Sequence, residues 1–185
     1  KDCWFVYFAE GVVDAHYYGI PCKPLPTADS LWTNERMDVP AAIDGPVLIS
    51  GGDLSGFEFG PGSLNPYEQF KTLQPTAVIQ YGVFVYDGHF EIPLAASLSH
   101  SQKAGDFLAS NNFTAARSEA EQAVALAPQD VKANSTLGDV LVKLNRTSEA
   151  RVSYERALHL AKTIEPEFRT GWIADLQKKL KDLPE

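Results

Sequence analysis

The first half of the chain is poor in basic residues. The 185 residues include 16 Lys or Arg and 24 Asp or Glu, and the formal net charge is −8. Residues 1–97 hold only 4 of the basic residues but 12 of the acidic ones, whereas residues 98–185 hold 12 of each, so the net charge belongs to the first half. Binding to a phosphate backbone needs clustered Lys and Arg. We therefore exclude nucleic acid as a partner, and we disfavour anionic membrane surfaces for the same reason.

Long apolar runs are also lacking. No stretch of 18 apolar residues occurs, so the sequence predicts no segment that spans a bilayer. The chain starts without Met, and Lys1-Asp2 leads directly into an apolar stretch. We expect it to be a piece of a longer protein, with contact to a membrane only through an upstream segment.

Metal-binding side chains are scarce and scattered. Cys3 and Cys22 are the two cysteines, with no C-x-x-C spacing, and two thiols alone do not form a zinc site. They either remain free, buried thiols or form one disulfide that closes a loop of about 20 residues. Asp87, His89 and Glu91 alternate along one predicted hairpin face, which we interpret as solvated. No metal and no cofactor are predicted.

The composition changes near residues 93–99. Residues 1–97 contain 9 of the 12 prolines, 10 of the 13 glycines and 15 of the 20 aromatic residues, whereas the rest is rich in the helix formers Ala, Leu, Lys and Glu. We predict two domains, residues 1–97 and 98–185, and an α+β fold class. The first would be a small, partial α/β sandwich of three to four strands, and the second would be all-α.

Apolar runs place the predicted strands at residues 3–9, 46–50 and 77–86. Asp87-Gly88 predicts a tight turn, after which residues 89–92 return as a short strand. Asn65 is the predicted N-cap of a short helix whose first residue is Pro66. Residues 11–45 form a long irregular segment, which is unusual inside a compact domain.

The glycine-rich segment 50–62 follows a predicted strand and contains two acids, Asp53 and Glu58. It lacks the G-x-G-x-x-G spacing and a following Lys, so we exclude a phosphate-binding loop. The two carboxylates could hold a sugar hydroxyl or act as a pair, and the alternative is that they are solvated loop residues. No catalytic residue is assigned.

The second half repeats itself with a period of 34 residues. Helices are predicted at residues 98–111, 113–126, 130–144 and 148–163, followed by a capping helix with an apolar face formed by Phe168, Trp172, Leu176 and Leu180. The period and the pattern of small and large residues resemble the tetratricopeptide repeat, whose helix pairs bind proteins or peptides. The pairs that the 34-residue shift aligns are Ala104 and Gly138, Phe107 and Leu141, Ala116 and Ala150, Ala120 and Tyr154, and Ala123 and Ala157.

The tetratricopeptide resemblance implies that the first helix of each pair faces a groove. In the second repeat the groove positions would be Lys132, Ser135, Asp139 and Lys143. In the first repeat they would be the uncharged residues Ser101, Gly105 and Leu108. Two lysines on one repeat are too few for a clamp that recognises a peptide carboxylate. A protein or peptide partner is expected, and packing of this surface against the first domain is the alternative.

The first half resembles a segment of bacterial membrane glycosyltransferases related to the dolichyl-phosphate-mannose protein mannosyltransferases. The resemblance lies in residues 3–9, the Y-Y-G-I motif within residues 14–20, and residues 46–50, 65–67 and 75–86. It implies a soluble tail on the periplasmic or extracytoplasmic face of a bacterial membrane, where a Cys3–Cys22 disulfide would be permitted. The family's catalytic loops lie in its membrane part, so no catalytic residue is transferred to this chain.

Three functional hypotheses follow. The leading one is a non-catalytic module of a membrane-bound sugar transferase that binds a protein or presents an acceptor. The second is a stand-alone soluble carbohydrate-handling enzyme that uses Asp53 and Glu58. The third is a self-association adaptor in which Trp172 and the terminal helix pair between copies.

Overall fold

The structure is a computed structural model that describes residues 3–7, 17, 19–28, 37–169 and 171–184. The chain divides into two compact units, Lys1–Ala96 and Ser97–Glu185. The described part contains a five-stranded sheet followed by a series of helices, so the predicted α+β class is confirmed. Within these residues no helix has both the length and the apolar composition needed to cross a bilayer.

A mixed sheet with the strand order β2-β1-β3-β5-β4 organises the first unit. Strand β1 runs parallel to both β2 and β3, while β5 runs antiparallel to both β3 and β4. A short helix, α1 (Gly51–Ser55), follows β3 directly. The strands are β1 (Trp4–Val6), β2 (Lys23–Pro24), β3 (Ala42–Ser50), β4 (Ala77–Ile79) and β5 (Val83–Glu91).

The prediction of one continuous strand over residues 77–86 is wrong. Gln80 and Tyr81 have φ angles of 52° and 61°, and this left-handed pair reverses the chain to form the β4–β5 hairpin. The Tyr81 side chain is 99% exposed, so an aromatic residue that favours a strand lies at the hairpin tip instead. The predicted turn at Asp87-Gly88 is also wrong, because β5 continues through it with Gly88 opposite Gly45.

The predicted helix at Asn65 is a 3₁₀ helix that begins later, at Glu68–Thr72. The Asn65 side chain accepts a hydrogen bond from the Tyr67 amide (2.9 Å) and donates to the carbonyls of Asp53 (3.3 Å) and Leu54 (3.2 Å). Asn65 therefore joins this turn to α1 instead of starting an α-helix. Residues 8 and 9 of the first predicted strand and residues 11–16, 18 and 29–36 of the irregular segment lie outside the described residues.

The core of the first unit lies on one face of the sheet. Val6, Val47, Ile49 and Tyr86 project from three adjacent strands into a cluster that Tyr67 completes from the turn after α1. Cys3 and Cys22 form a disulfide next to the paired strands β1 and β2. Since short parallel strands make few hydrogen bonds, this covalent link helps to keep β2 at the edge of the sheet.

The helices that follow the sheet in the chain have the predicted order. The first begins earlier than predicted, at Pro93, and the other three repeat helices lie within a residue of their predicted starts. The segment before the last helix contains a 3₁₀ helix at Pro166–Phe168. The helices are α2 (Pro93–Ala109), α3 (Phe113–Leu126), α4 (Val131–Lys143), α5 (Thr147–Thr163) and α6 (Trp172–Lys181).

The 34-residue period also appears in the backbone. Asn111 and Asn145, which are 34 positions apart, have φ angles of 59° and 58° and follow α2 and α4. The amide after each donates to an equivalent carbonyl, from Asn112 to Phe107 (2.8 Å) and from Arg146 to Leu141 (2.9 Å). Asn tolerates this left-handed conformation better than most residues, so the two turns have the same sequence cause.

Replacing Gly138 by Ala should destabilise the second unit. A Cβ at this position would overlap the Tyr154 ring, whereas one at Gly105, which is exposed on α2, would meet nothing within 4 Å. We expect Gly138→Ala to cost about 1–3 kcal/mol of unfolding free energy through overpacking. The matched control Gly105→Ala should stabilise the protein by about 0.5–1 kcal/mol. Urea unfolding followed by helical circular dichroism measures both, and equal effects of the two variants would contradict the packing argument.

Replacing both Cys3 and Cys22 by Ser should destabilise the first unit. The disulfide joins residues 19 positions apart, and a loop of this size corresponds to about 3 kcal/mol in the chain-entropy account. Thermal unfolding with and without reductant tests this. The double variant should be insensitive to reductant, and the parent protein should lose stability when reduced.

Candidate protein-binding site

Four residues predicted from the repeat pattern lie along one stripe of α4. Lys132, Ser135, Asp139 and Lys143 are spaced by three, four and four residues, which places them on one helix face. Asp130 fixes the start of this helix, since its carboxylate accepts hydrogen bonds from the amides of Lys132 (3.2 Å) and Ala133 (3.0 Å). We call these four side chains the α4 stripe.

The centre of the α4 stripe is in contact with α6. The Lys179 amine donates to Ser135 Oγ (3.1 Å) and to the Asp139 carboxylate (2.9 Å), and it lies 3.4 Å from Asp175 on its own helix. A lysine of the capping helix thus neutralises the acidic member of the stripe. The sequence prediction missed this contact, although the four-residue spacing of Asp175 and Lys179 is typical of a helical ion pair.

Tyr154 connects this polar contact to the core of the unit. Its hydroxyl donates to Asp139 (2.7 Å), and the Lys179 amine lies 5.6 Å from the centre of its ring. Burial, together with the nearby Asp139 and Asp175 carboxylates, raises the pKa of the Tyr154 hydroxyl. Tyr154 therefore remains a neutral hydrogen-bond donor, and Asp139 is held by two donors at once.

The two lysines of the α4 stripe lie in different environments. Lys132 is half-buried, and this burial lowers the pKa of its amine, an effect that the Asp130 carboxylate opposes. Lys143, in the last turn of α4, is exposed. Lys143 is therefore the exposed cation of the stripe, while Ser135 and Asp139 already contact Lys179.

Corresponding positions of the first repeat are mostly apolar or buried. Ser101 is 3% exposed and its hydroxyl has no hydrogen-bond partner, and Gly105 is exposed. Leu108 packs with Phe107 against a cluster that includes Val140 of α4. The first repeat therefore adds shape and apolar contact to the site, and the charge comes from the second repeat.

The glycine-rich segment is not an open loop. Residues 51–55 form α1, and Asp53 is fully buried. Glu58 Oε2 accepts a hydrogen bond from the Ala28 amide (2.6 Å). The first unit has a cleft of about 640 Å³ beside Gly45 and Gly88 and another of about 430 Å³ beside Pro93. Neither Asp53 nor Glu58 lines either of these two clefts. Asp53 is enclosed by the fold and Glu58 is bonded to the backbone, so both have the contacts of structural groups.

Asp87, His89 and Glu91 lie on one face of β5, as their alternation predicts. His89 contacts Asp44 (2.8 Å) and Glu91 (3.3 Å), and these hydrogen bonds raise the pKa of its imidazole. The side chains are exposed on the sheet. Across the described residues, no group of three or more His, Cys, Asp or Glu side chains is arranged to hold a metal ion.

Asp139 and Lys179 should be energetically coupled. Their side chains are 35% and 27% exposed, so solvent screens the pair, and we expect a coupling of about 0.5 kcal/mol from a double-mutant cycle of Asp139→Asn and Lys179→Met. The control is Lys178→Met, at the neighbouring exposed position of α6. Its cycle with Asp139→Asn should give no coupling in urea unfolding, and equal coupling in both cycles would refute a specific contact.

Comparison with known proteins identifies the repeats. Residues 107–170 match the family model of the tetratricopeptide repeat, and this match covers α3, α4 and α5 together with the end of α2. No curated protein matches the chain at a significant level. The repeat pattern read from the sequence is thereby confirmed for residues 107–170, which include the α4 stripe and Tyr154 but not α6, and such repeats indicate a protein-interaction module.

Proposed function

We propose that this chain is a non-catalytic module of a membrane-bound sugar transferase, and that it binds a protein partner or presents an acceptor. The observation that carries the interaction role is the tetratricopeptide match at residues 107–170, which contains the whole α4 stripe. Such repeats use the first helix of each pair to contact a partner. The link to a sugar transferase rests on the sequence motifs of the first half.

The surface of the α4 stripe favours a partner with an acidic and apolar contact region. Lys143 is the exposed charge of the stripe, and Ser135 and Asp139 are already bonded to Lys179. Leu108 and Gly105 of α2 supply an uncharged neighbouring surface. A partner carboxylate near Lys143, flanked by apolar side chains, would fit this arrangement.

The carbohydrate-enzyme alternative gains no support from the geometry of its two acids. A glycosidase needs two carboxyls on either side of a bound sugar. Asp53 is fully buried and its carboxyl accepts a hydrogen bond from Ser50. Glu58 bonds to a backbone amide. Both carboxyls are engaged inside the fold.

The self-association alternative is also less favoured than the interaction role. Leu176 is 1% exposed, and Trp172 packs with it against the second-repeat cluster that includes Tyr154 and Ala157. The apolar face of α6 is therefore used within the chain. Pairing through that face would require α6 to leave its own unit.

A photo-crosslinking residue at position 143 should trap the partner in cells that produce the parent protein. The control is position 152 on α5, where Val152 is 65% exposed and lies outside the α4 stripe. We expect a discrete adduct from position 143, competed by the unlabelled chain, and none from position 152. Equal labelling from both positions, or none from either, would contradict a binding role for the stripe.

The reading frame upstream of Lys1 tests the sugar-transferase assignment separately. Several apolar runs of about 20 residues in that frame would support a polytopic transferase with this chain as its tail. A start codon joined to Lys1 by a short leader without any such run would contradict the assignment, while the interaction role tested by crosslinking would be unaffected.

A further inference from the structure

The second unit contains a site for an ammonium group, and a side chain of the same chain occupies it. Lys179 Nζ lies 2.9 Å from the Asp139 carboxylate, 3.1 Å from Ser135 Oγ and 5.6 Å from the centre of the Tyr154 ring. A carboxylate, a hydroxyl oxygen and the face of an aromatic ring are all groups that bind organic cations. We call the side chains of Ser135, Asp139 and Tyr154 the cation site.

The cation site is held in place by contacts that do not involve Lys179. The Tyr154 hydroxyl donates to Asp139 (2.7 Å), and the Tyr154 ring packs directly on Gly138. Ser135 and Asp139 lie one turn apart on α4, so the helix itself sets the distance between them. The acceptor groups of the site therefore stay in position when the Lys179 side chain moves away.

The Lys179 side chain can be displaced while α6 remains packed. Lys179 and Asp139 are 27% and 35% exposed, so solvent reaches their contact, and ion pairs of this kind are weak. Other side chains hold α6 to the repeat, since Leu176 is 1% exposed and Trp172 packs with it against the second-repeat cluster. Rotation of the flexible lysine side chain alone thus opens the cation site and leaves the apolar packing intact.

The charges beside the cation site define the kind of segment that can compete with Lys179. Lys143 is exposed and lies one turn after Asp139 on the same face of α4. The α4 stripe therefore presents a carboxylate and an ammonium group about 6 Å apart along the helix axis. A complementary helix has a basic and an acidic side chain four positions apart, which gives the same spacing. Helix α6 carries such a pair itself, in Asp175 and Lys179.

We propose that the α4 stripe binds a helical segment of a partner protein with a basic and an acidic residue one turn apart, and that Lys179 is an internal competitor for the basic residue. The partner's Lys or Arg replaces Lys179 at Asp139, while the partner's carboxylate pairs with Lys143. A segment without the basic residue gains nothing at Asp139, so the competitor makes binding selective. This inference rests on the proposed interaction role and adds the charge pattern of the partner.

Titration of the full chain with synthetic helical peptides tests this inference, and NMR follows lysine side chains labelled with ¹³C at Cε. The peptides have about 20 residues, long enough to form a helix, and carry Arg and Glu four positions apart in either order. An otherwise identical peptide has Gln at both positions. We expect one Arg–Glu order to bind more tightly than the Gln peptide and to shift the Lys143 and Lys179 resonances, while the resonance of the exposed Lys178 stays unchanged.

Variants of the competitor and of its acceptor sharpen the test. Lys179→Met should increase the affinity for the Arg–Glu peptide by about two- to threefold, the factor that corresponds to one weak ion pair, because the basic residue no longer has to displace a lysine. The same variant should not change the affinity for the Gln peptide. Asp139→Asn should remove the advantage of the Arg–Glu peptide over the Gln peptide. The matched control Lys178→Met should bind both peptides as the parent chain does.

Three results would overturn the inference. Equal affinity for the Arg–Glu and Gln peptides would refute the charge pattern. Binding that shifts the Lys143 resonance but not that of Lys179 would show that Lys179 does not compete with the ligand. In both cases the α4 stripe binds a peptide, so the interaction role would stand. The third result is no shift of either resonance with any peptide, and crosslinking from position 143 then decides the interaction role independently.

Discussion

The packing of Tyr154 on Gly138 is the contact on which the second unit depends. The ring occupies the space that a side chain at position 138 would fill, and its hydroxyl reaches Asp139. The first repeat has Ala104 and Ala120 at the equivalent positions, so a pair of small residues is replaced by the smallest and a large one. Because protein interiors are close-packed, these two changes have to occur together. The Tyr154 ring also places its hydroxyl beside Asp139 of the α4 stripe.

The first unit depends on a few backbone positions and polar contacts, as the second unit depends on the packing of Tyr154 on Gly138. The left-handed residues Gln80 and Tyr81 create a hairpin, and Asn65 joins the turn after α1 to that helix. Glu58 then accepts a hydrogen bond from the Ala28 amide, which ties that distant segment to the same region. Polar groups thus fix segments that a thin sheet would not hold by apolar burial alone. Each of these contacts joins residues that are separated in the sequence.

Much of the candidate site was predictable, because side chains at helical spacing lie on one face of the helix. The position of the α4 stripe followed from the repeat register, and the helix carrying it begins at Val131 after its Asp130 cap. The accessibility of the stripe was not predictable. Lys179 lies 40 residues beyond Asp139, and its reach across to α4 depends on how α6 packs. Fewer side chains of the candidate site are therefore accessible than the sequence pattern suggests, and Lys143 is its exposed cation.

The sequence by itself determined the α+β class, the helix pairs with their 34-residue period, and the acidic character of the first half. These properties depend on composition and on spacing within a helix, which are local. The tertiary structure decided where the strand of residues 77–86 breaks, which side chain covers the α4 stripe, and that Asp53 is buried in the interior. Those outcomes depend on packing between distant segments, and the free energy of such contacts is not contained in any short stretch of sequence.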